Sequence, residues 1–272
     1  MRISNHDKEQ FLEVLWNHYA NSGRNALPWR LPGENGVLDP YKVMVSELML
    51  QQTQVGRVVP KYHEFLEHFP TVHDLAKAEL GDVLRVWQGL GYNRRAKFLW
   101  QAAQIVDKLK HFPDNVADLV KLPGVGVNTA GAIAAYAYNF PAVFIETNVR
   151  TVYLHHFLAD SVDVPDAEIT ELLEQTIDHE NPREFYWALM DYGTHLKATI
   201  GNVNKASKHY AKQSKFHGSR RQVRGQIIRL LGSGPHTLVA LRTAIEDARL
   251  ESVLHDLITE DLVRQNGGQY YL

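Results

Sequence analysis

The chain has 272 residues, of which 44% are hydrophobic and 22% charged, and its formal net charge is -2. These values are ordinary for a globular protein and allow one sizeable core plus a small second domain. The chain contains no cysteine, which excludes disulfides, thiolate zinc sites and cysteine-ligated iron–sulfur clusters. No apolar run approaches the roughly 20 residues of a membrane span, and residues 1–5 do not resemble a signal peptide, so we expect a cytoplasmic protein without a membrane partner.

Positive charge is concentrated in one stretch near the C-terminus. Residues 192–245 contain no Asp or Glu. The basic residues of this stretch are Lys197, Lys205, Lys208, Lys212, Lys215, Arg220, Arg221, Arg224, Arg229 and Arg242. A basic segment within a slightly acidic protein indicates a polyanion partner on one face.

The first part of the chain predicts helices separated by loops. Residues 7–20 carry apolar side chains at helical spacing, and residues 24–41 form a loop rich in Pro and Gly. Residues 42–55 predict a helix that is apolar nearly all round, with Glu47 in its middle. Burial of this carboxyl would raise its pKa, which suits a group that carries a proton near neutral pH. The alternative is a structural Glu that bonds a helix end or a neighbouring Arg.

Two amides stand where this helix is predicted to end. Gln51 and Gln52 are surface side chains in the simpler interpretation, or they reach into a stack of bases. Helical patterns at residues 60–69 and 75–87 follow them.

A glycine turn at residues 89–92 precedes the next predicted helix, residues 93–109. Arg94 and Arg95 lie at the entrance of that helix and are candidate DNA contacts. Tyr92, on the turn beside these cations, would insert between bases or else pack under the turn.

Residues 122–150 are the central stretch of the chain. They begin with a turn in which two glycines flank one apolar residue, followed by a small-residue helix at 127–138. Glycines let the backbone turn sharply, and a helix N-terminus offers N–H groups to an anion. With a short helix closing at 116–121, the pattern predicts a helix-hairpin-helix that holds a nucleic-acid backbone without reading its sequence. A tight turn between two packed helices is the alternative. The candidate DNA contacts of this unit are Leu122, Gly124, Val125, Gly126, Asn128 and Thr129.

A single carboxyl follows in the run 143–149. Glu146 is surrounded there by apolar and neutral polar residues. In the simplest interpretation it caps the next helix, which is predicted to begin near Thr147.

The rest of the chain predicts a larger helical part and a smaller mixed part. Helical patterns cover residues 151–158, 167–177 and 185–196, and no strand is predicted before Val263. We therefore expect an all-α domain of two helical subdomains over residues 1–201, followed by a basic linker or DNA-facing loop at 202–218.

Residues 219–272 are predicted to form a domain of their own. Three helices, at 220–231, 237–248 and 250–262, precede a β-hairpin at 263–272 with a tight glycine turn. This order is typical of a winged helix. Such modules bind DNA or serve protein contacts.

Several motifs occur together in an order that resembles a known family. They are LPWR at 27–30, SELMLQQTQV at 46–55, GLGY at 89–92, LPGVG at 122–126, TAGAIA at 129–134 and ETNVR at 146–150. The chain is similar to the helix-hairpin-helix base-excision DNA glycosylases, and within them to the MutY-type adenine glycosylases. The resemblance implies an all-α glycosylase fold that clasps duplex DNA, flips one nucleotide out and cleaves its N-glycosidic bond.

The resemblance also implies roles for individual residues. Glu47 matches the acid that protonates the departing adenine, and Glu146 falls where the family has an aspartate that stabilises the sugar cation, with Asn148 beside it. Gln51, Gln52 and Tyr92 lie where the family enters the DNA stack and holds the opposite base. A structural monovalent cation at the hairpin carbonyls is also implied. Two carboxyl groups make chemical sense, because adenine leaves only when protonated and the sugar then becomes cationic.

Four departures from the family pattern modify these expectations. Glu146 replaces Asp and is one methylene longer, and Asn128 stands where lyase-active members have a Schiff-base lysine, so we expect a monofunctional enzyme. The cysteine cluster loop is replaced by residues 197–217, and the predicted winged helix replaces the domain that recognises 8-oxoguanine. No redox cofactor and no metal site are expected.

The sequence therefore predicts a monomeric repair glycosylase that acts on double-stranded DNA with a mismatched or damaged base. Adenine opposite guanine or 8-oxoguanine is the expected substrate. Two alternatives remain at this point: a mismatch thymine or uracil glycosylase, and a DNA-binding protein without catalytic activity. The altered Glu146 and Asn128 leave room for the first of these.

Overall fold

A computed structural model describes residues 2–33, 36–212 and 215–272. Its α-helices, numbered in chain order, are α1 (Asn5–Ser22), α2 (Pro40–Leu50), α3 (Val55–His68), α4 (Val72–Lys77), α5 (Leu80–Val86), α6 (Arg94–Leu109), α7 (Val116–Leu119), α8 (Val127–Tyr138), α9 (Thr147–Phe157), α10 (Asp166–Thr176), α11 (Pro182–Thr199), α12 (Arg220–Gly232), α13 (Leu238–Ala244) and α14 (Leu250–Thr259). The strands are β1 (His236–Thr237), β2 (Arg264–Asn266) and β3 (Gln269–Tyr271). Among the described residues, no helix has both the length and the apolar character that a bilayer crossing requires.

Most predicted helices are present, with two differences that have a physical cause. The predicted helix at 75–87 is two helices, because Ala78 is extended between them (φ -66°, ψ 151°) and Thr71 and Asp74 form a capping box at the start of α4. Helix α2 ends at Leu50 rather than at residue 55. The chain leaves the helix there because Gln52 adopts a left-handed backbone, with φ of 56°.

The chain divides into two compact units. The first comprises residues 2–43, 114–120 and 125–212, and the second comprises residues 44–113, 121–124 and 215–272. Both units are therefore assembled from segments that are far apart in the sequence.

Helix α11 forms the centre of the first unit, where it packs against α1, α8 and α9. Helix α8 is rich in alanine and is buried on nearly all sides. Its Gly131 approaches Phe144 so closely that a Cβ atom there would lie 2.9 Å from that side chain. Phe144 in turn stacks on Tyr186 with ring centroids 3.9 Å apart. This packing fixes the segment that connects α8 to α9.

The motif LPWR at 27–30 is tied to α11 through a buried ion cluster. Asp191 accepts from both Nη atoms of Arg30, at 2.8 and 2.9 Å, and from Nε of Arg24 at 2.7 Å. Burial alone would raise the pKa of the Asp191 carboxyl, but its bonds and attraction to Arg30 and Arg24 hold that pKa below the usual value. The motif therefore acts as a structural anchor in the first unit.

The second unit packs α4 and α5 on α6, around Trp87, Phe65 and Leu99, which are fully buried. The C-terminal helices belong to the same unit, because α12 packs on α5 and α14. Arg85 donates to the carbonyl of Gly232 at 3.1 Å, and Lys97 donates to that of Glu260 at 2.6 Å.

Residues 219–272 have the predicted composition of three helices and a hairpin. The hairpin gains a third strand, so the antiparallel sheet has the order β1-β3-β2, with His236 opposite Tyr270. The expectation of no strand before Val263 was thus wrong for β1. A strand of two residues is too short to show an alternation of apolar and polar side chains, so the sequence pattern does not predict β1.

The predicted linker at 202–218 is packed in its first part. Residues 203–206 form a 3-10 turn in which the buried Asn204 donates to Thr151 Oγ1 of α9 at 2.7 Å. Ser207 then forms a bridge with Val164. Residues 208–212 are exposed, and 213–214 lie outside the described residues. The first part of this basic segment is therefore a structural part of the first unit.

Candidate functional site

Glu47 lies on α2 in the second unit, where it is buried. Its residue is only 9% exposed, and Met44, Leu48 and Met49 on the same helix are completely buried. A carboxyl with so little exposure interacts strongly with any charged or polar group that approaches it.

The end of α2 is clamped by Arg95. This buried guanidinium donates to the carbonyls of Leu48 at 2.7 Å, Met49 at 2.9 Å and Gln51 at 2.5 Å. It also donates to the carbonyls of Leu90 and Gly91, at 3.1 and 3.2 Å. A cation at the C-terminal end of a helix satisfies carbonyls that have no partner within the helix.

Burial lowers the pKa of Arg95 to about 10, although the nearby Tyr92 acts in the opposite direction. The guanidinium remains charged at neutral pH. Because protein carbonyls surround it, Arg95 positions the Gln51 and Gly91 segments. Arg94, the preceding residue, is exposed and lies over the Phe98 ring at 5.7 Å.

Five side chains predicted to contact DNA line one cavity of the second unit. Gln51, Gln52, Tyr92, Arg94 and Arg95 all line it. The Gln51 amide also donates to the carbonyl of Gly124 at 3.4 Å, which connects these residues to the hairpin.

Tyr92 combines features of the two predicted alternatives. It is half-buried and has a left-handed backbone with φ of 45°. Arg95 and Arg221 each place a guanidinium 5.4 Å from its ring centre, and Arg221 donates to its hydroxyl at 2.6 Å. The ring therefore lines the cavity while contacts to two cations hold it.

The hairpin uses its two glycines differently. Gly124 has a φ of 78°, and a Cβ atom there would lie 2.7 Å from Cβ of Phe98, so only glycine fits. Gly126 is extended at the N-cap of α8, and no side chain caps that helix. Leu122 and Val125 are buried, so their side chains are not available to a ligand at the hairpin. An uncapped helix start next to such a turn suits a phosphate.

Glu146 stands at the N-cap of α9 in the first unit, but its side chain makes no capping hydrogen bond. The simplest interpretation of this residue, a helix cap, is therefore not what the structure shows. Burial raises the pKa of the Glu146 carboxyl. This carboxyl is thus set apart from ordinary surface glutamates by its environment.

Asn128 holds the backbone that leads to Glu146. Its Nδ2 donates to the carbonyl of Ile145 at 2.9 Å, and its Oδ1 accepts from the Ile145 amide at 3.3 Å. The side chain thus pairs with the backbone as a neighbouring strand would. Thr129, the next residue, is half-buried.

Asn148 lies in the first turn of α9, and side chains of α11 hold it in place. Lys197 donates to its Oδ1 at 2.8 Å, and its Nδ2 faces Sδ of Met190 at 3.7 Å. Gly193 permits this approach, because a Cβ atom there would lie 2.6 Å from the Asn148 carbonyl oxygen. Burial, and to a lesser extent Arg150, lowers the pKa of Lys197.

Sequence reasoning did not identify Lys197 or Gly193 as parts of this site. Lys197 was included only in the general count of basic residues. The sequence did contain one signal for them: Lys197 and Gly193 are four residues apart, and such residues share a helix face. In the described ranges, no group of three or more His, Cys, Asp and Glu residues could hold a metal ion.

Comparisons with known proteins identify a family to which the chain is similar. The sequence model of the HhH-GPD superfamily of base excision DNA repair proteins matches residues 45–178. An adenine DNA glycosylase of Mycobacterium tuberculosis (strain ATCC 25618 / H37Rv) is 34% identical over 272 residues, covering 88% of this chain and 87% of that protein. One from Buchnera aphidicola subsp. Baizongia pistaciae is 33% identical over 218 residues, covering 76% of this chain. The match spans only 60% of that relative's length.

Two solved structures have a similar fold. A thermostable thymine-DNA glycosylase has a TM-score of 0.60 and 24% identity, covering 70% of this chain and 87% of its own. An endonuclease III in a non-covalent DNA complex has a TM-score of 0.59 and 21% identity, covering 73% of this chain and 90% of its own. At these identities the likeness concerns the fold alone.

Proposed function

The chain belongs to the HhH-GPD superfamily of base excision DNA repair proteins, and from that premise we propose that it is a DNA glycosylase that removes mispaired adenine. The substrate is double-stranded DNA with adenine opposite guanine or 8-oxoguanine. The protein acts as a cytoplasmic monomer and without a redox cofactor. The observation that carries the proposal is the buried Glu47 on α2, within a chain that matches an adenine DNA glycosylase over 88% of its length.

Glu47 is the proposed general acid. Adenine is a poor leaving group unless a proton reaches its ring nitrogen, and a buried carboxyl next to the base can supply that proton. The same reasoning disfavours thymine and uracil as substrates, because pyrimidines have no N7 to protonate. A carboxylic acid at this position therefore suits a purine substrate.

Glu146 is the proposed anion that stabilises the cationic sugar as the glycosidic bond breaks. Only its ionised form has this effect, so the raised pKa of Glu146 makes base release sensitive to mildly acidic pH. Asn148, whose amide Lys197 and Met190 hold, is the proposed neighbour of that sugar.

We propose that the enzyme has no lyase activity. Asn128 carries an amide, which is not nucleophilic, and both of its polar atoms bond Ile145. Reduction with borohydride during the reaction should therefore trap no covalent complex between this chain and DNA. A trapped complex would contradict the monofunctional assignment.

The hairpin is the proposed contact to the DNA backbone, through the uncapped start of α8 and the carbonyls around Gly124. A monovalent cation at those carbonyls remains a proposal. An iron–sulfur cluster does not fit this chain, because no cysteine is present to hold it.

The test is single-turnover base release from four duplexes, with A opposite 8-oxoguanine, A opposite G, T opposite G and U opposite G. We expect release from the two adenine duplexes only. Glu47→Gln should lower that rate by about 10²- to 10⁴-fold. Glu67→Gln is the matched control, since Glu67 is an exposed carboxyl in the same unit.

The other outcomes are informative. Release of T or U alone would retain the family and replace the substrate. Tight duplex binding without any release would identify a DNA-binding protein without activity. Equal losses in the Glu47 and Glu67 variants would exclude Glu47 as a specific acid.

A further inference from the structure

Residues 219–272, which we call the C-terminal domain, balance their own charges. They contain seven arginines, no lysine and six acidic residues. Three arginines of the basic stretch pair with carboxylates that follow residue 245, each at 2.5 Å: Arg220 with Asp256, Arg224 with Glu260, and Arg242 with Glu251. Folding therefore neutralises much of the positive charge that the sequence concentrates before residue 245, and less of it remains for a polyanion.

Helix α14, which precedes the hairpin, lacks the chemistry of a helix that reads DNA. In helix-turn-helix modules the second helix enters the major groove. Arginine, lysine, asparagine and glutamine make most of the side-chain contacts to bases and phosphates there. Helix α14 contains none of these four residue types and carries the carboxylates of Glu251 and Asp256. Its face offers phosphates no attraction, so the α13–α14 pair is not suited to contact DNA directly.

The C-terminal domain instead contacts a residue with a predicted DNA role. Arg221 on α12 donates to the hydroxyl of Tyr92 at 2.6 Å, and its guanidinium lies 5.4 Å from the centre of the ring. The same helix is anchored at its C-terminal end, where Arg85 donates to the carbonyl of Gly232 at 3.1 Å. Helix α12 thus presents Arg221 to Tyr92 from a fixed position within the second unit.

Tyr92 requires such support because of its backbone. A φ of 45° is sparsely populated for a residue other than glycine, and Gly91 before it has a φ of 70°. Residues in such conformations persist where the surrounding contacts fix them. Arg95 bonds the carbonyl of Gly91 at the base of the turn, whereas Arg221 bonds the hydroxyl at the tip of the ring. The two cations therefore fix different parts of the turn, its backbone and the Tyr92 ring.

We propose that Arg221 is a positioning residue, which holds the Tyr92 ring ready to enter the base stack. This inference rests on the proposed function and on the predicted entry of Tyr92 into DNA. A ring that is already held loses less conformational freedom when DNA binds. The C-terminal domain then assists base flipping through Tyr92, and not through contacts of α13 and α14 to DNA. Loss of the bond between Arg221 and Tyr92 should slow unstacking of the mispaired base.

The first experiment follows unstacking by stopped-flow fluorescence of 2-aminopurine placed beside the mispaired adenine. Arg221→Met and Tyr92→Phe each remove the bond from one side, so each should slow the fluorescence change by about tenfold. Because both act on one contact, the double variant should be within about twofold of the slower single variant. Effects that multiply to about a hundredfold, or an unchanged rate in Arg221→Met, would overturn the proposal.

A matched variant on the same helix separates this effect from charge. Arg229→Met removes one positive charge from an exposed position of α12. Its unstacking rate should stay within about twofold of the wild-type rate, because the change leaves the Tyr92 hydroxyl bonded. Equal slowing in Arg229→Met and Arg221→Met would assign the effect to charge and contradict a positioning role.

The salt dependence of DNA binding tests the indirect role of the domain. Arg242→Gln removes a cation from the α13–α14 pair. A phosphate contact of Arg242 would contribute about 0.9 to the slope of log Kd against log salt concentration. We expect the slope of Arg242→Gln to equal that of the wild type. A slope lower by about 0.9 would show direct contact of this pair with DNA and contradict the indirect role.

Two further measurements keep the result interpretable. Thermal unfolding reports whether each variant is folded. If Arg221→Met does not fold, Tyr92→Phe decides: slower unstacking supports the proposal, and an unchanged rate contradicts it. Absence of base release by the wild type would refute the proposed function. Normal release by the wild type, with unchanged unstacking in Arg221→Met and Tyr92→Phe, would refute this inference alone.

Discussion

Glu47 and Glu146 lie on segments that are held in place in different ways. The segment after Glu47 is clamped by one charged side chain, Arg95, which donates to carbonyls on both sides of the α2 end. The segment around Glu146 has no such clamp. It is held by Asn128 on one side and by the Asn148–Lys197 contact on the other.

The difference indicates how each site can fail. Removal of one guanidinium leaves several buried carbonyls without a donor at once, and each unsatisfied group costs free energy. Separate contacts that each contribute little can be lost one at a time. The Glu47 segment should thus be sensitive to a single substitution, and the Glu146 segment should weaken in steps.

The largest expected effect follows from removing the negative charge of Glu146 while its backbone segment stays in place. Glu146→Gln preserves the shape of the side chain and removes its charge, so base release should fall by about 10²- to 10³-fold. Burial raises the pKa of Glu146, so wild-type base release should decline as pH falls through a value above the ordinary glutamate pKa of about 4.3. A pH–rate profile of single-turnover release measures both effects.

This acid limb should be missing in Glu146→Gln and retained in Glu174→Gln, which alters an exposed carboxyl of the first unit. A rate for Glu146→Gln that equals the wild-type rate would show that this carboxylate has no catalytic role.

The clamp on the other segment is tested by Arg95→Gln. The substitution should lower the free energy of unfolding by about 3 kcal/mol, because several buried carbonyls lose a charged donor. Chemical denaturation measures this loss. Arg94→Gln, one residue earlier and exposed, should stay within about 0.5 kcal/mol of the wild type. Similar losses of unfolding free energy in the two variants would show that Arg95 does not clamp the end of α2.

Gly193→Ala tests how closely α11 must approach the Glu146 segment. The added Cβ would lie 2.6 Å from the Asn148 carbonyl oxygen, so the helices must separate, at a cost of about 1–3 kcal/mol. Base release should fall as well, since Asn148 moves. Gly56→Ala is the control: nothing lies within 4 Å of its Cβ position, and alanine should stabilise that helix by up to about 1 kcal/mol. A stabilised Gly193→Ala variant would contradict the close packing.

The smallest expected effect concerns Lys197. Lys197→Gln weakens one contact to Asn148, which should cost about 1 kcal/mol of stability and reduce base release only a few-fold. Lys208→Gln removes the same charge from an exposed position of the same basic stretch. The two variants should therefore share the change in salt dependence of DNA binding, and only Lys197→Gln should slow base release. A loss for Lys197→Gln as large as that for Arg95→Gln would mean that both segments depend on single clamps.

Local patterns in the sequence were sufficient for much of the fold. The periodicity of apolar residues predicted α1, α6 and α12 with small shifts at their ends. The glycine pattern predicted the hairpin at 122–126, where Gly124 has the expected positive φ. These features depend on residues close together in the chain, so one sequence carries the information.

Contacts between distant residues were beyond the reach of these patterns. The bonds that hold the end of α2 come from Arg95, about 45 residues later, and the pairing of Asn128 with Ile145 depends on how α8 packs in the first unit. The sequence patterns also did not predict that α12 packs in the second unit. The predicted domain boundary at residue 219 follows the order of elements along the chain. In the structure, residues 215–272 instead belong to the same compact unit as residues 44–113.

The sequence by itself determined the order of the helices, the family motifs, the two carboxyl groups and the absence of cysteine ligands. Only the tertiary structure decided which polar side chains face a cavity and which support the backbone. Arg94 and Arg95 illustrate the reason. Both were predicted to contact DNA, yet one is exposed and the other is buried against carbonyls of two other segments. Adjacent residues of a helix point in different directions, so what each meets depends on the neighbours that folding brings together.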